Sequence, residues 1–215
     1  KFYDTVAYAG WSMDDHFPAG FYHKDSYPTI FHPAPSPWGL PLRCMISANI
    51  DNLVFAGRNI SVTHAALSSS RVMATCSVLG QALGTAVAMA VKGATAVSGV
   101  DITALQQALL ADDCFIPGVD RQVSVAALSA KCSADILRNG KERGEDNLWI
   151  GDRTEYVMDC PTKIKSIRLV FDSDLNRNYH NMPCNYPLVQ EKFKLPKTLV
   201  SDYLLEGFAE DGTVY

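Results

Sequence analysis

From Val72 to Val91 the chain runs for 20 positions without a charge, bounded by Arg71 and Lys92. A helix of that length can cross a bilayer. Its composition argues against a span. Eight of the 20 residues are Val, Leu or Met; the rest are Ala, Gly, Cys, Ser, Thr and Gln, with no flanking Trp or Tyr belt. The run reads instead as a helix buried on all sides inside a larger protein. Gly80, Gly84 and Ala88 recur at i, i+4 and i+8, so one face is nearly bare and lets another backbone come close.

What precedes this helix gives it chemical meaning. Residues 52–57 (Asn-Leu-Val-Phe-Ala-Gly) form a short apolar run ending in Gly, the pattern of a buried strand with a sharp exit. A polar loop of small residues follows over 58–70, and the helix is expected to begin near Arg71. A strand feeding a helix N-terminus builds a site for an anion or an electron-rich ligand. The free N–H groups of the first turn point outward, and the helix dipole adds about half a positive charge. Arg58 and Arg71 flank that end. The alternative is an ordinary α/β packing unit with both arginines at the surface.

Composition removes several classes. Of 215 residues, 47% are hydrophobic and 20% charged, which excludes wholesale disorder. The net charge of −4 gives no basic footprint for nucleic acid. The six cysteines include no C-x-x-C pair and are expected to be mostly reduced and buried. The chain opens on Lys1 without a leader pattern, so it reads as a piece of something longer, and its compartment is not legible.

Along the chain, Val6 and Tyr8 alternate like a strand, and the proline-rich stretch 31–39 reads as an ordered loop. Asp101 and Thr103 are candidate caps of a helix ending near Asp112, and Pro117-Gly118 closes that segment. Beyond it, alternation over 166–171 and a Leu/Val/Tyr-rich stretch at 198–206 suggest strands of a β-sandwich. The chain stops just after the Asp211-Gly212 turn signal, so that sandwich reads as incomplete. Two domains are expected, over 1–120 and 121–215.

The segments Asn52 to Leu67, Ser70 to Cys76 and Gly80 to Ala86 together resemble the C-terminal flavin motif (52–91) of a bacterial family of FAD-dependent oxidoreductases. That family belongs to the glutathione-reductase-like flavoprotein superfamily. The likeness extends more loosely over about residues 1–115. It implies an α/β fold, FAD as cofactor, and transfer of a hydride or two electrons to or from a small-molecule substrate. By resemblance, Ala56, Gly57 and Arg58 meet the ribityl chain and phosphates, with Asn59 and Ser61 in the same loop. Arg71 and the backbone of Val72, Met73 and Ala74 sit at the flavin's pyrimidine ring.

Two departures matter. Many superfamily members carry an acid where this chain has Arg58, which leaves backbone contacts to the ribityl group. No G-x-G-x-x-G occurs anywhere in the sequence, so only the C-terminal part of the enzyme is expected here. The bare helix face would then pack on the missing half or drive self-association.

His64 is the expected proton relay, with a structural loop histidine as the alternative. Arg43 is expected to bind an anionic substrate or the pyrimidine ring, against a surface ion pair. His16, His23 and His32 lie among Asp14, Asp15 and Asp25; they lack the spacing of a dedicated metal site, so no metal is expected, and they read as plain surface or as the lining of a pocket. The sequon Asn59-Ile60-Ser61 is expected to be unused. The second module resembles galactose-binding-like jelly rolls over 164–172 and 195–200. There Trp149, Tyr179, His180 and Tyr186 could stack on a carbohydrate. A non-catalytic carbohydrate-binding or interaction module is therefore the second reading.

Overall fold

The computed structural model describes residues 2–33, 37–144, 147–173 and 198–215. They fall into two units, Lys1–Arg121 and Gln122–Tyr215. The first unit contains β1 (Thr5–Ala9), β2 (Met13–His16), β3 (Thr29–His32), β4 (Trp38–Pro41), α1 (His64–Ser70), α2 (Met73–Lys92) and α3 (Ile102–Ala111). The second contains α4 (Val125–Ser129), β5 (Lys131–Cys132) and β6 (Tyr156–Val157).

The first unit's core forms where α2 and α3 pack on β1. Val6, Ala7 and Ala9 of β1 are buried with Leu79, Ala82, Leu83 and Ala86 of α2 and Leu105 and Leu109 of α3. β1 pairs antiparallel with β4, with a bulge between Thr5 and Ala7. A Cβ on Gly39 would lie 2.5 Å from Thr5 Cγ2, so only glycine fits at that point of β4. α3 is capped by Asp101, whose carboxylate accepts from Ala104 N at 3.1 Å. Its buried Gln106 donates through Nε2 to Tyr3 O (3.1 Å) and Thr5 O (2.9 Å).

Four local expectations change. First, α2 is one-sided. Thr75, Leu79, Ala82, Leu83, Ala86 and Ala90 are buried, whereas Met73, Gly80, Gly84, Ala88 and Val91 are exposed. Small residues permit burial on every side, but packing partners occupy one side only among the described residues. By length and composition α2 could cross a membrane, yet its buried face packs on β1 and α3.

Second, residues 64–70 form a helix rather than loop. Thr63 Oγ1 accepts from Ala66 N (3.3 Å), while Ser68 and Ser70 return their hydroxyls to Ala65 O (2.6 Å) and Ala66 O (2.9 Å). Serine runs read as loop because their side chains compete for the backbone; here Ser68 and Ser70 bond within the helix, Ser69 donates to Trp11 O, and all three are buried. The chain then breaks at Arg71 and Val72, and α2 starts at Met73.

Third, residues 52–57 make only an isolated antiparallel bridge, Val54 to Ile46. Without a neighbouring ladder the apolar run stays half-exposed. Fourth, the stretch 31–39 is not one loop. Phe31 and His32 end β3 and Trp38 opens β4, with the prolines confined between them; residues 34–36 lie outside the described residues.

The second unit shows no β-sandwich among the described residues. β5 and β6 pair antiparallel over two residues each, and Phe208 bridges Val214. Residues 164–171 and 198–206 carry no strand pairing with other described residues, and neighbours of opposite parity such as Leu169 (43%) and Val170 (57%) are similarly exposed. Alternation in sequence becomes a sheet face only when a second layer covers it. α4 is capped by Ser124, and Arg138 donates to Leu128 O (2.7 Å) at its C-terminal end. Tyr156 donates to Leu137 O at 2.9 Å, and burial with the neighbouring Cys132 pushes its hydroxyl up to about 12. Cys44, Cys76, Cys114, Cys132 and Cys160 are free thiols; the first four are half-buried and Cys160 is exposed. Cys184 lies outside the described residues.

Candidate functional site

β2 is the strand on which the site is built. Side chains alternate across a strand, so Asp14 and His16 share one face and Asp15 takes the other. Asp14 is held from three directions. Thr29 of β3 donates to Oδ1 at 2.6 Å. Arg71 approaches Oδ2 at 3.3 Å and also donates to the Asp14 carbonyl at 2.8 Å. His16 Nε2 lies 3.1 Å from Oδ2. The Thr29 hydroxyl, with His16 and Arg71 adding to it, holds the Asp14 carboxyl below its ordinary value against the opposing effect of burial. On the other face, His64 Nε2 lies 2.8 Å from Asp15 Oδ1 and 3.2 Å from His16 O. β2 is thus fastened both to the start of α1 and to the break between α1 and α2.

That break opens a cleft of about 310 Å³ lined by His16, Arg58, Arg71 and Val72. Val72 is the N-cap residue of α2 and offers no side chain to the first-turn N–H groups. The first intrahelical bond there is Cys76 N to Val72 O, at 3.0 Å. The N–H groups of Met73 and Ala74 therefore stand at the positive end of a 20-residue helix, on two exposed residues. Arg71 shares its charge with Asp14, whereas Arg58 makes no ion pair among the described residues. The cleft is cationic, and its donors suit an anion or the electron-rich edge of a ring.

The segment leading into this cleft passes through Gly57 at φ +115°, a conformation that L side chains rarely adopt. A Cβ there would lie 3.9 Å from Cys76 Sγ, so this backbone runs beside the first turns of α2. Ile60 is buried and Ser61 N donates to Cys44 O at 2.8 Å, which anchors the loop. Ala56, Asn59 and Ser61 are exposed along it.

Of the residues expected from sequence, the structure brings Arg58, Arg71 and Val72 to one cleft, with Met73 and Ala74 following directly in α2. Arg43 does not line it. Its guanidinium bonds to the buried Asp4 at 2.6 Å and lies 4.8 Å above the Phe2 ring. His64 is bonded to Asp15 and likewise does not line the cleft. His23 stacks on Phe17 at 3.8 Å and bonds Ser26 at 2.8 Å. Among the described residues no three His, Cys, Asp or Glu side chains gather as a metal site needs. A larger cavity of about 520 Å³, lined by Phe2, Tyr3 and Gln106 among others, has its central amide already committed to backbone carbonyls. Trp149 is 39% exposed; Tyr179, His180 and Tyr186 lie outside the described residues.

Asp14 is named from the sequence among the carboxylates beside His16, but its role as the group that holds Arg71, and the part of Thr29, are not legible there. The acidic run before His16 is visible in the sequence, but its pairing with Arg71 spans 57 positions and has no local signature.

Residues 1–109 match the model of a family described as FAD dependent oxidoreductase. No curated protein and no solved structure matches the chain.

Proposed function

The chain belongs to the FAD dependent oxidoreductase family, whose cofactor is FAD, and on that premise we propose that the cleft at the N-terminus of α2 receives the electron-rich edge of the flavin ring. The convergence of Arg58, Arg71 and the uncapped first turn of α2 on one cleft carries this reading. The donor set fits such a group: N–H dipoles and guanidinium groups favour carbonyl oxygen and added negative charge. When bound, FAD supplies the capacity to accept or give an electron pair, or a hydride, in exchange with a small-molecule substrate.

The chain's own residues then bind and orient. Gly57 brings the backbone beside α2 without a side chain, and the Ala56 to Ser61 loop is the surface for the ribityl and phosphate part. The likeness to glutathione-reductase-like flavoproteins supports this order along the cofactor. Arg71, fixed by Asp14, sets the position of the α2 N-terminus, and Arg58 supplies charge that no carboxylate among the described residues pairs with. Asp15 and His64 tie β2 to α1, which keeps His16 at the rim.

Flavin released by heat denaturation, measured for the purified wild-type protein and for Gly57→Val, tests the reading. The full-length protein is expected to carry near-stoichiometric flavin and to lose it in a folded Gly57→Val variant, whereas residues 1–215 without a G-x-G-x-x-G half are expected to hold little. Equal flavin content in the full-length protein and its Gly57→Val variant would refute the placement.

A further inference from the structure

Resting on the flavin reading above, we infer that His16 is the acid–base residue of the cleft, taking up a proton at Nδ1 when an electron pair brings negative charge there. His16 lines the cleft and its side chain is 50% exposed, so it meets both the site and bulk water. Its Nε2 faces Asp14 Oδ2 at 3.1 Å, and a carboxylate partner fixes the proton on that nitrogen. Nδ1 makes no hydrogen bond among the described residues and is the position left to titrate. Asp14 is itself oriented by Thr29 and Arg71, so the ring is held by a carboxylate that is held in turn.

Charges around His16 fix the sign. Asp14 on its own strand faces Nε2; Thr29 faces Asp14 from β3; Arg58 and Arg71 face the cleft from the loop before α1 and the junction before α2. Across the strand, Asp15 and His64 pair with each other, and His64 also reaches the His16 carbonyl. Arg58 and Arg71 make the cleft cationic, and the Asp14 carboxylate faces His16. Negative charge added to the cleft favours the imidazolium.

The step balances with a two-electron reductant such as dithionite. Two electrons and one proton go to the cofactor, and one further proton passes from solvent to His16 Nδ1. No bond to His16 breaks, and reoxidation returns its proton. His64, whose Nε2 is taken by Asp15 and the His16 carbonyl, is a positioning residue.

The test is the midpoint potential of the bound flavin against pH, from about pH 5 to about pH 8. It uses the flavin-loaded protein after flavin content has been measured. Each extra proton per electron pair is a tenfold change in equilibrium constant per pH unit, or about 30 mV. The wild type is expected to show a window with a slope of about 60 mV per pH unit, and His16→Gln about 30 mV throughout. As a second measurement, the His16 imidazole resonances of the wild type are titrated by NMR in both redox states. The midpoint is expected to rise on reduction by a tenfold or greater change in proton affinity. An unchanged slope in flavin-loaded His16→Gln, or an NMR midpoint that does not move on reduction, overturns the inference while leaving the flavin reading in place. A full-length protein without flavin overturns the flavin reading itself, and the inference with it.

Discussion

Gln106 shows how one side chain serves the whole first unit. It sits in the buried face of α3, yet its amide closes the carbonyls of Tyr3 and Thr5 at the start of β1. Leu at this position keeps the volume and leaves two inward carbonyls without a donor, which costs about 1–3 kcal/mol for an unsatisfied buried group. Gln106→Leu is therefore expected to lower the melting temperature of the first unit, read by circular dichroism, and an unchanged melt would contradict the assignment. Neither this contact nor that of Asp14 with Arg71 was legible in the sequence, because each joins residues far apart in the chain. What was legible rests on local rules. Asp101 caps α3 as its residue type and spacing foretell, and Arg58 and Arg71 flank the end of a helix that an uncharged run announces.

At the scale of elements, α2 carries the clearest consequence. Nothing lies within 4 Å of a Cβ built on Gly84. Gly in an exposed helix interior costs roughly 0.8–1 kcal/mol relative to Ala. Gly84→Ala is expected to stabilise this chain by about that amount in a denaturant titration. Destabilisation would instead show a neighbour packed closely on that face. The length of α2 was readable from its composition, but which faces it buries was not, since small residues tolerate either environment. Helix α1 is not legible because three consecutive serines look like loop until Ser68 and Ser70 are seen to bond within the helix and Ser69 to donate to Trp11 O. The run expected as a strand at residues 52–57 makes a single bridge, and no sandwich is seen among the described residues after 121, for a shared reason. Apolar runs and alternation state a preference, and the preference needs a paired neighbour to become a ladder.

For the molecule as a whole, acid is the informative perturbation. Asp14 has its carboxyl lowered from 3.8 in the folded state, chiefly by the Thr29 hydroxyl. A group with a depressed folded value contributes stability that is present above 3.8 and is lost as pH falls through the lower value. The first unit is thus expected to lose stability below about pH 4, with β2 released from Arg71 as the carboxyl protonates. Asp14→Asn should begin less stable at neutral pH and show a shallower decline across that window. Thermal melts at several pH values check both. Equal slopes would show that Asp14 is not the group being titrated.

Asp14 also bears on how such a site can change over generations. It answers to Thr29, His16 and Arg71 together, so altering any one partner leaves a carboxylate arranged for the other two. Lineages that retune the cleft would have to replace these residues in concert.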